Sequence, residues 1–438
     1  MEKSQKELRS EIDQDFLVNR VRNKLLTLID PRNRWIGYTF HDLVMSGYAM
    51  FHLKYPSLNR FKTQTVSEQS NLKELFKIEQ LCSDTQLRSI LDQIDPDCLR
   101  QLYVENFKLL QDLGILKEYQ SIKNHLICSI DGVQHFSSKE VHCDQCLSKE
   151  HSNGTVTYHH NMLCAALVHP TQREVFIMGA EPIIRQDGQT KNDCELNAGT
   201  RLLNSLSEQY EKYKLLIVED ALYANGPHLR QILGNDWQFV VNIKPKSQKT
   251  LFKAFEMRKK RGATKYCEWT DVAGTTHRFW YANNFALNEA SPDVRVNVLF
   301  YEEQLKNGKI QKFSWATSIQ LTKSNVEQIM RIGRSRWKIE NQTFNTLKNQ
   351  GYEFDHNFGH GFKYLTTFFA YLMLLAFQND QVFQRCNDLF NKIWVAAKTK
   401  VKLWETVKAV FMARIITSFY DLYIIVAEEF KVINENST

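Results

Sequence analysis

Two short apolar runs, each closing on an aspartate, constrain this chain more than any other feature in it. HLICSID (125–131) and KLLIVED (214–220) show little polar alternation, as expected of strands covered on both faces rather than one. Helices must then lie on both sides of the sheet that holds them, which makes the chain α/β. Two more strands fall between these runs, roughly Thr155 to His169 and Glu174 to Gly179, with Asn153-Gly154 and His169-Pro170 as turn signals. A helix is expected from about Asn192, where Asn192 and Glu195 have capping-box spacing. A short helix near 227–233 then leads to a fifth strand, Trp237 to Ile243.

The resulting order is three strands, helix, strand, helix, strand. That is the element order of an RNase H-like domain. After the fifth strand the pattern breaks into a β-rich insertion at about 244–320, with β-like runs at Thr276–Tyr281, Val294–Tyr301 and Lys312–Ile319. The 438 residues, 43% hydrophobic, suffice for more than one core. The expected organisation is a helical N-terminal domain at 1–120, a catalytic domain at 121–380 and C-terminal helices at 381–438. Within the first segment, a helix at Asn71–Gln80, a tight turn at Leu81-Cys82 and a second helix capped by Ser83 and Gln86 suit either a DNA-reading helix-turn-helix or a plain helical hairpin.

The stretch Arg331 to Lys348, plotted as a helix, gathers Ile332, Trp337, Ile339, Phe344 and Leu347 on one arc. Arg336 and Glu340 sit in the middle of that arc. Charges aimed inward are costly unless something charged meets them. They form either a mutual i,i+4 ion pair or, with partners elsewhere, a phosphate ligand and a metal ligand. Partners are at hand, because Asp131 and Asp220 both close apolar strands and open α/β sheets bind ligands at strand ends. Three carboxylates converging there make a hard-oxygen site suited to two Mg²⁺ or Mn²⁺ ions. Such a pair of ions serves phosphodiester displacement. The ordinary alternative for each aspartate is capping a turn. Glu219 should face away from Asp220, since neighbours on a strand alternate.

Asp131-Gly132, Ile217-Val218-Glu219-Asp220 and Arg336-Trp337-Lys338-Ile339-Glu340 resemble the Asp, Asp and Glu motifs of bacterial cut-and-paste insertion-sequence (DDE) transposases, relatives of retroviral integrase. The likeness covers roughly residues 120–380. It implies an enzyme that cuts double-stranded DNA at its own element's terminal repeats and joins the ends to a target, with Asp131, Asp220 and Glu340 holding the metals. In that group a Tyr, Arg, Glu, Lys signature surrounds the third carboxylate. Arg336 matches the arginine, the tyrosine position holds Gly333, and the lysine position holds Leu347, with Lys348 one residue late. Trp315 in FSWATS falls where relatives keep a tryptophan that stacks on a flipped base; a buried strand aromatic is the alternative. The resemblance also implies a homodimer on DNA, formed through the last helices, and a bacterial, cytoplasmic, nucleoid-associated protein. Two rival functions are a silent transposase-derived DNA-binding protein and a metal nuclease without strand transfer.

A second constellation is His142-Cys143-Asp144-Gln145-Cys146, followed by His151 and His159-His160. Thiolates two residues apart with imidazoles downstream can ligate zinc, so His142, Cys143, Cys146 and His151 form a candidate structural site. An exposed, reduced hairpin has the same sequence pattern. Asp355 to Gly361 follows the Glu340 helix, and glycines flanking His360 allow a tight bend there. Nine cysteines, an odd number spread along the chain, argue for reduced thiols and not a disulfide framework. Between Lys244 and Lys265 nine basic residues face one acid, Glu256. Lys244 and Lys246 head this run as candidate phosphate contacts, which carry no sequence information. No apolar run approaches the ~20 residues of a membrane span.

Overall fold

Strand β1 (Leu126–Ser138) is the axis of the sheet. It pairs antiparallel with β3 (Val156–Val168) on one side and parallel with β5 (Leu215–Glu219) on the other. Beyond β3 lie β2 (Leu147–Glu150) and β4 (Phe176–Ile183), both antiparallel to it; beyond β5 lies β6 (Gln238–Asn242), parallel. The order β4-β3-β1-β5-β6 is an RNase H-like core. The computed structural model describes residues 5–32, 37–185 and 191–433, without the side chains of 191–193. The Asn192 side chain, and with it the expected cap, therefore lies outside what is described, although the helix itself spans Lys191–Gln209.

The first strand is longer than its sequence suggests. Asp131-Gly132 is not its end, because β1 continues its ladder with β3 through Asp131↔Cys164 and Gly132↔Leu163 to Ser138. What ends near Asp131 is the parallel pairing. The β1–β5 register matches Ser129 with Val218, so Asp131 lies level with Asp220, just past the last residue of β5. The rim expected at a strand end is thus made by β5 stopping while β1 runs on.

The insertion extends this sheet. Strands β7 (Lys265–Thr270), β8 (Thr276–Asn288), β9 (Ser291–Gln304) and β10 (Ile310–Thr317) form an antiparallel meander, and β10 joins β6 antiparallel. Among the described residues the result is one ten-stranded sheet. Most of the basic run is a helix, Lys249–Lys260, whose Leu251 and Phe255 are buried while its lysines line the surface.

The N-terminal helices share a core with the rest of the chain. The helix Phe40–His52 packs on the buried helix Leu365–Cys386. At one end of this contact Lys54 Nζ meets Asp380 at 2.5 Å, both side chains buried. Asp92 accepts backbone N–H groups from Phe362, Lys363, Tyr364 and Leu365 at 2.8–3.0 Å, covering the unpaired donors at the start of that helix. The expected tight helix-turn-helix is absent. The first helix ends at Phe76, Lys77 turns left-handed with φ 56°, and an extended segment reaches Ser83, which caps Asp84–Leu91 as expected. Glu79 N donates to Asp42 there, pinning the segment to the helix Phe40–His52. Among the described residues three helices follow Leu365–Cys386. No helix among the described residues is long and apolar enough to cross a membrane.

Candidate active site and a second, thiol–imidazole cluster

The third carboxylate rides on a helix that is not uniform. Val326–Ser335 is α-helical, Ile339–Phe344 is a π-helical segment, and Asn345–Asn349 is α-helical again. Between the first two, Ile339 N bonds Arg336 O, a tight turn before the wide one. Ile332, Ile339, Phe344 and Leu347 are buried as the 100° projection predicts, but Trp337 is 54% exposed. A projection that assumes one pitch misplaces it, because the chain tightens and then widens around it. The π-turn has a second effect. It holds one residue more than an α-turn, so eight residues from Glu340 reach the azimuth that seven would in a regular helix. Lys348, one position late in the sequence, is thereby returned to the side facing β1, where its charge reaches buried His135. Its ammonium pairs with Asp355 at 3.0 Å.

The helix sits on β1 and β5 through polar as well as apolar contacts. Ser129 Oγ donates to Arg336 O at 3.2 Å. The buried Arg336 side chain places Nη1 2.7 Å from Asp131 Oδ2 and 2.6 Å from Glu340 Oε1. Of the two sequence readings of the Arg336–Glu340 pair, the i,i+4 ion pair is present, and it is shared with a carboxylate from β1. The guanidinium expected to meet phosphate is here engaged by two carboxylates. Burial, then a hydrogen bond to Glu340, raise the Asp131 carboxyl to about 7 against the pull of Arg336. For Glu340 burial acts upward, but the hydrogen bond from Asp131 and the Arg336 charge outweigh it and hold the group below its ordinary value. Two acids this close share a proton or a cation. Glu340 remains 44% exposed, so the cluster opens to solvent.

Asp220 stands level with Asp131 but takes no part in that contact. Its Oδ1 accepts from Leu222 N at 2.8 Å, the turn-capping role an aspartate at a strand end often plays. Glu219 faces the other side of the sheet, fully buried against His228 Nε2 at 2.8–2.9 Å. Oxygen ligands from Asp131 and Glu340 with Asp220 at the adjacent strand suit a hard divalent cation. Among the described residues, however, no group that includes these three acids brings its ligand atoms within a common 4.8 Å.

Trp315 is a core residue. It is 1% exposed on β10, stacks on Phe313 with ring centroids 5.8 Å apart, and lies under Gly333. A Cβ at Gly333 would stand 2.4 Å from Trp315 Nε1. The absence of the signature tyrosine and the burial of the tryptophan are one fact: the indole fills the space that a side chain at 333 would need. Base stacking by Trp315 is therefore corrected to packing. Lys244 and Lys246 are exposed just beyond β6, and Lys244 borders an open groove with Phe252, Phe300, Lys312 and Phe313.

The thiol–imidazole cluster forms with different histidines from those expected. Cys143, Cys146, His160 and His360 bring one ligand atom each within 4.8 Å of one another. His142 instead stacks on Tyr158 at 4.2 Å, and His151 bonds Thr157 Oγ1 at 2.8 Å. His142 flanks the Cys-x-x-Cys turn and points out of it, while His151 belongs to the tip of the β2–β3 hairpin. His160 was within the sequence pattern. His360 comes from two hundred residues downstream, and only its flanking glycines signalled an unusual bend.

No curated protein matches the chain. The family model for the transposase DDE domain matches residues 137–377. That span begins six residues after Asp131, includes Asp220, Arg336 and Glu340, and takes in more than half of the chain, which therefore belongs to the DDE transposases.

Proposed function

We propose that this transposase cuts DNA at the ends of its own insertion sequence and joins the freed 3′ hydroxyl to a target, with Asp131, Asp220 and Glu340 as the metal ligands. The observation that carries this reading is the Asp131–Arg336–Glu340 contact at the point where β5 stops. Two acids from distant parts of the chain are held together, open to solvent, beside a third at the neighbouring strand. Divalent cations, which the family uses, supply activation of the attacking water or hydroxyl and stabilisation of the leaving oxygen in an in-line displacement. Arg336 holds the two carboxylates in place, and the Ser129 bond to its backbone fixes the helix over the strand. Lys244, Lys246 and the exposed face of Lys249–Lys260 bind phosphates, with the segment 1–120 contributing to DNA binding and the C-terminal helices to a dimer that bridges two ends.

Incubating the protein with the DNA that flanks its gene, in Mg²⁺ or Mn²⁺, tests this. Wild type should nick at the element ends and give strand-transfer products, and Glu340→Ala should bind without nicking. Binding without nicking by wild type would support a silent DNA-binding descendant, and nicking without joining a plain nuclease. Replacing Lys244 and Lys246 with Ala should weaken binding across sequences and reduce the salt slope by ~1 for each lysine replaced.

A further inference from the structure

The strongest feature outside the acidic site is the convergence of Cys143, Cys146, His160 and His360. Five of the six distances among their ligand atoms are short: Sγ to Sγ 3.9 Å, Sγ to Nε2 3.5, 3.2 and 3.3 Å, and Nε2 to Nε2 3.1 Å. A tetrahedral zinc with bonds of ~2.3 Å to sulfur and ~2.05 Å to nitrogen requires edges of about 3.8, 3.5 and 3.3 Å respectively. Five edges are close to those of that tetrahedron, and the sixth, Cys143 Sγ to His360 Nε2, lies within 4.8 Å. A disulfide is excluded by the same geometry, since it needs the sulfurs at ~2.05 Å.

The surroundings match a metal site as well. His360 Nδ1 lies 2.7 Å from Gly361 O; a carbonyl only accepts, so Nδ1 carries the proton and the Nε2 lone pair points into the cluster. Cys143 N donates to Cys146 Sγ at 3.5 Å across the turn closed by Cys146 N to Cys143 O, which stabilises sulfur as thiolate. Three of the four residues are buried, Cys143 partly exposed. Four protein ligands leave no open position, the mark of a structural rather than a catalytic site.

We infer that Cys143, Cys146, His160 and His360 bind one structural Zn²⁺ ion, which ties the β1–β3 side of the catalytic sheet to the segment following the Glu340 helix. The loop is built to deliver His360. Gly359 and Gly361 have φ of 142° and 69°, and a Cβ at either would stand 2.6 Å from Arg88 Cδ or 2.2 Å from Asp92 Oδ1. Only glycine allows the chain to press against the N-terminal helix there while turning His360 the other way. The ion would thus join the sheet to a loop that Asp92 fastens to the N-terminal helices.

Metal analysis of the full-length protein, purified without chelator, tests this. About one zinc per chain is expected, and Co²⁺ substitution should give the visible ligand-field and thiolate charge-transfer bands of a tetrahedral site. Cys146→Ser and His360→Ala should each lose the zinc, while His142→Ala and His151→Ala keep it. Because a ligand variant can fail to fold, wild-type thiol labelling gives an independent measure. Cys143 and Cys146 should resist alkylation until a chelator is added and then react. Zinc-free folded wild type with freely reactive thiols, a Cys143–Cys146 disulfide, or loss of zinc in His142→Ala but not in His360→Ala would overturn the assignment.

Discussion

The two polar clusters on β1 and its neighbours are built to opposite specifications. Around Cys143, Cys146, His160 and His360, four neutral or soft ligands, three of them buried, close on a common centre. Around Asp131 and Glu340, acids are gathered from a strand and a helix, one of them 44% exposed, with an arginine between them and Asp220 beside them turned to its own turn. A closed set can only hold an ion; an open one can also admit a phosphodiester and let the product leave. The contrast teaches that closure, more than ligand count, separates a fastening from a reaction centre in this fold.

The sharpest way to break the comparison is to remove one member of each cluster. Glu340→Ala should lower DNA nicking by on the order of 10³-fold, about 4 kcal/mol of barrier, with zinc content and melting temperature close to wild type. His360→Ala should do the reverse, lowering the melting temperature by several degrees and releasing zinc. Because structural zinc contributes folding energy directly, its effect on nicking should follow the fraction folded. If both variants lost nicking and neither lost stability, the two clusters would be one site.

Asp92 sharpens the comparison from the side of the loop. Its four backbone hydrogen bonds hold the carboxyl below its ordinary value in spite of burial. A depressed folded pKa means stability that is complete above the unfolded value and lost as pH falls through the folded one. Asp92→Asn should therefore cost about 2–3 kcal/mol near neutrality, with the gap to wild type closing in acid; denaturant titrations across pH measure it. On the open side the sign is opposite. The proton held by Asp131 up to about 7 must leave before a cation binds, so Mn²⁺ affinity should rise as pH passes that value, as calorimetry can read. Smallest is Gly333→Ala, where crowding of Trp315 should cost ~1–3 kcal/mol and leave zinc bound.

Much of this was legible in the chain. Unalternating apolar runs marked β1 and β5, and an i,i+4 Arg336–Glu340 pair facing inward marked the helix above them. What is not written locally depends on long-range geometry. Nothing local says that β1 continues past Asp131-Gly132, because its partner for the second half, β3, is specified elsewhere. A π-turn leaves no periodic trace, so a single-pitch projection puts Trp337 on the apolar arc and leaves Lys348 one residue late. Trp315 stays open between base stacking and burial in the sequence, since its cover is a glycine, which announces nothing. His360 was invisible as a ligand because its three companions lie two hundred residues earlier.

The central claim, that Asp131, Asp220 and Glu340 grip the same cations, is tested most directly by loading Fe²⁺ in place of Mg²⁺ and mapping where hydroxyl radicals cut the polypeptide. Cuts next to residues 131, 220 and 340 together, suppressed by excess Mg²⁺ and absent in Asp131→Asn, are the predicted result. Cuts at 131 and 340 without 220, or none that Mg²⁺ suppresses, would contradict it.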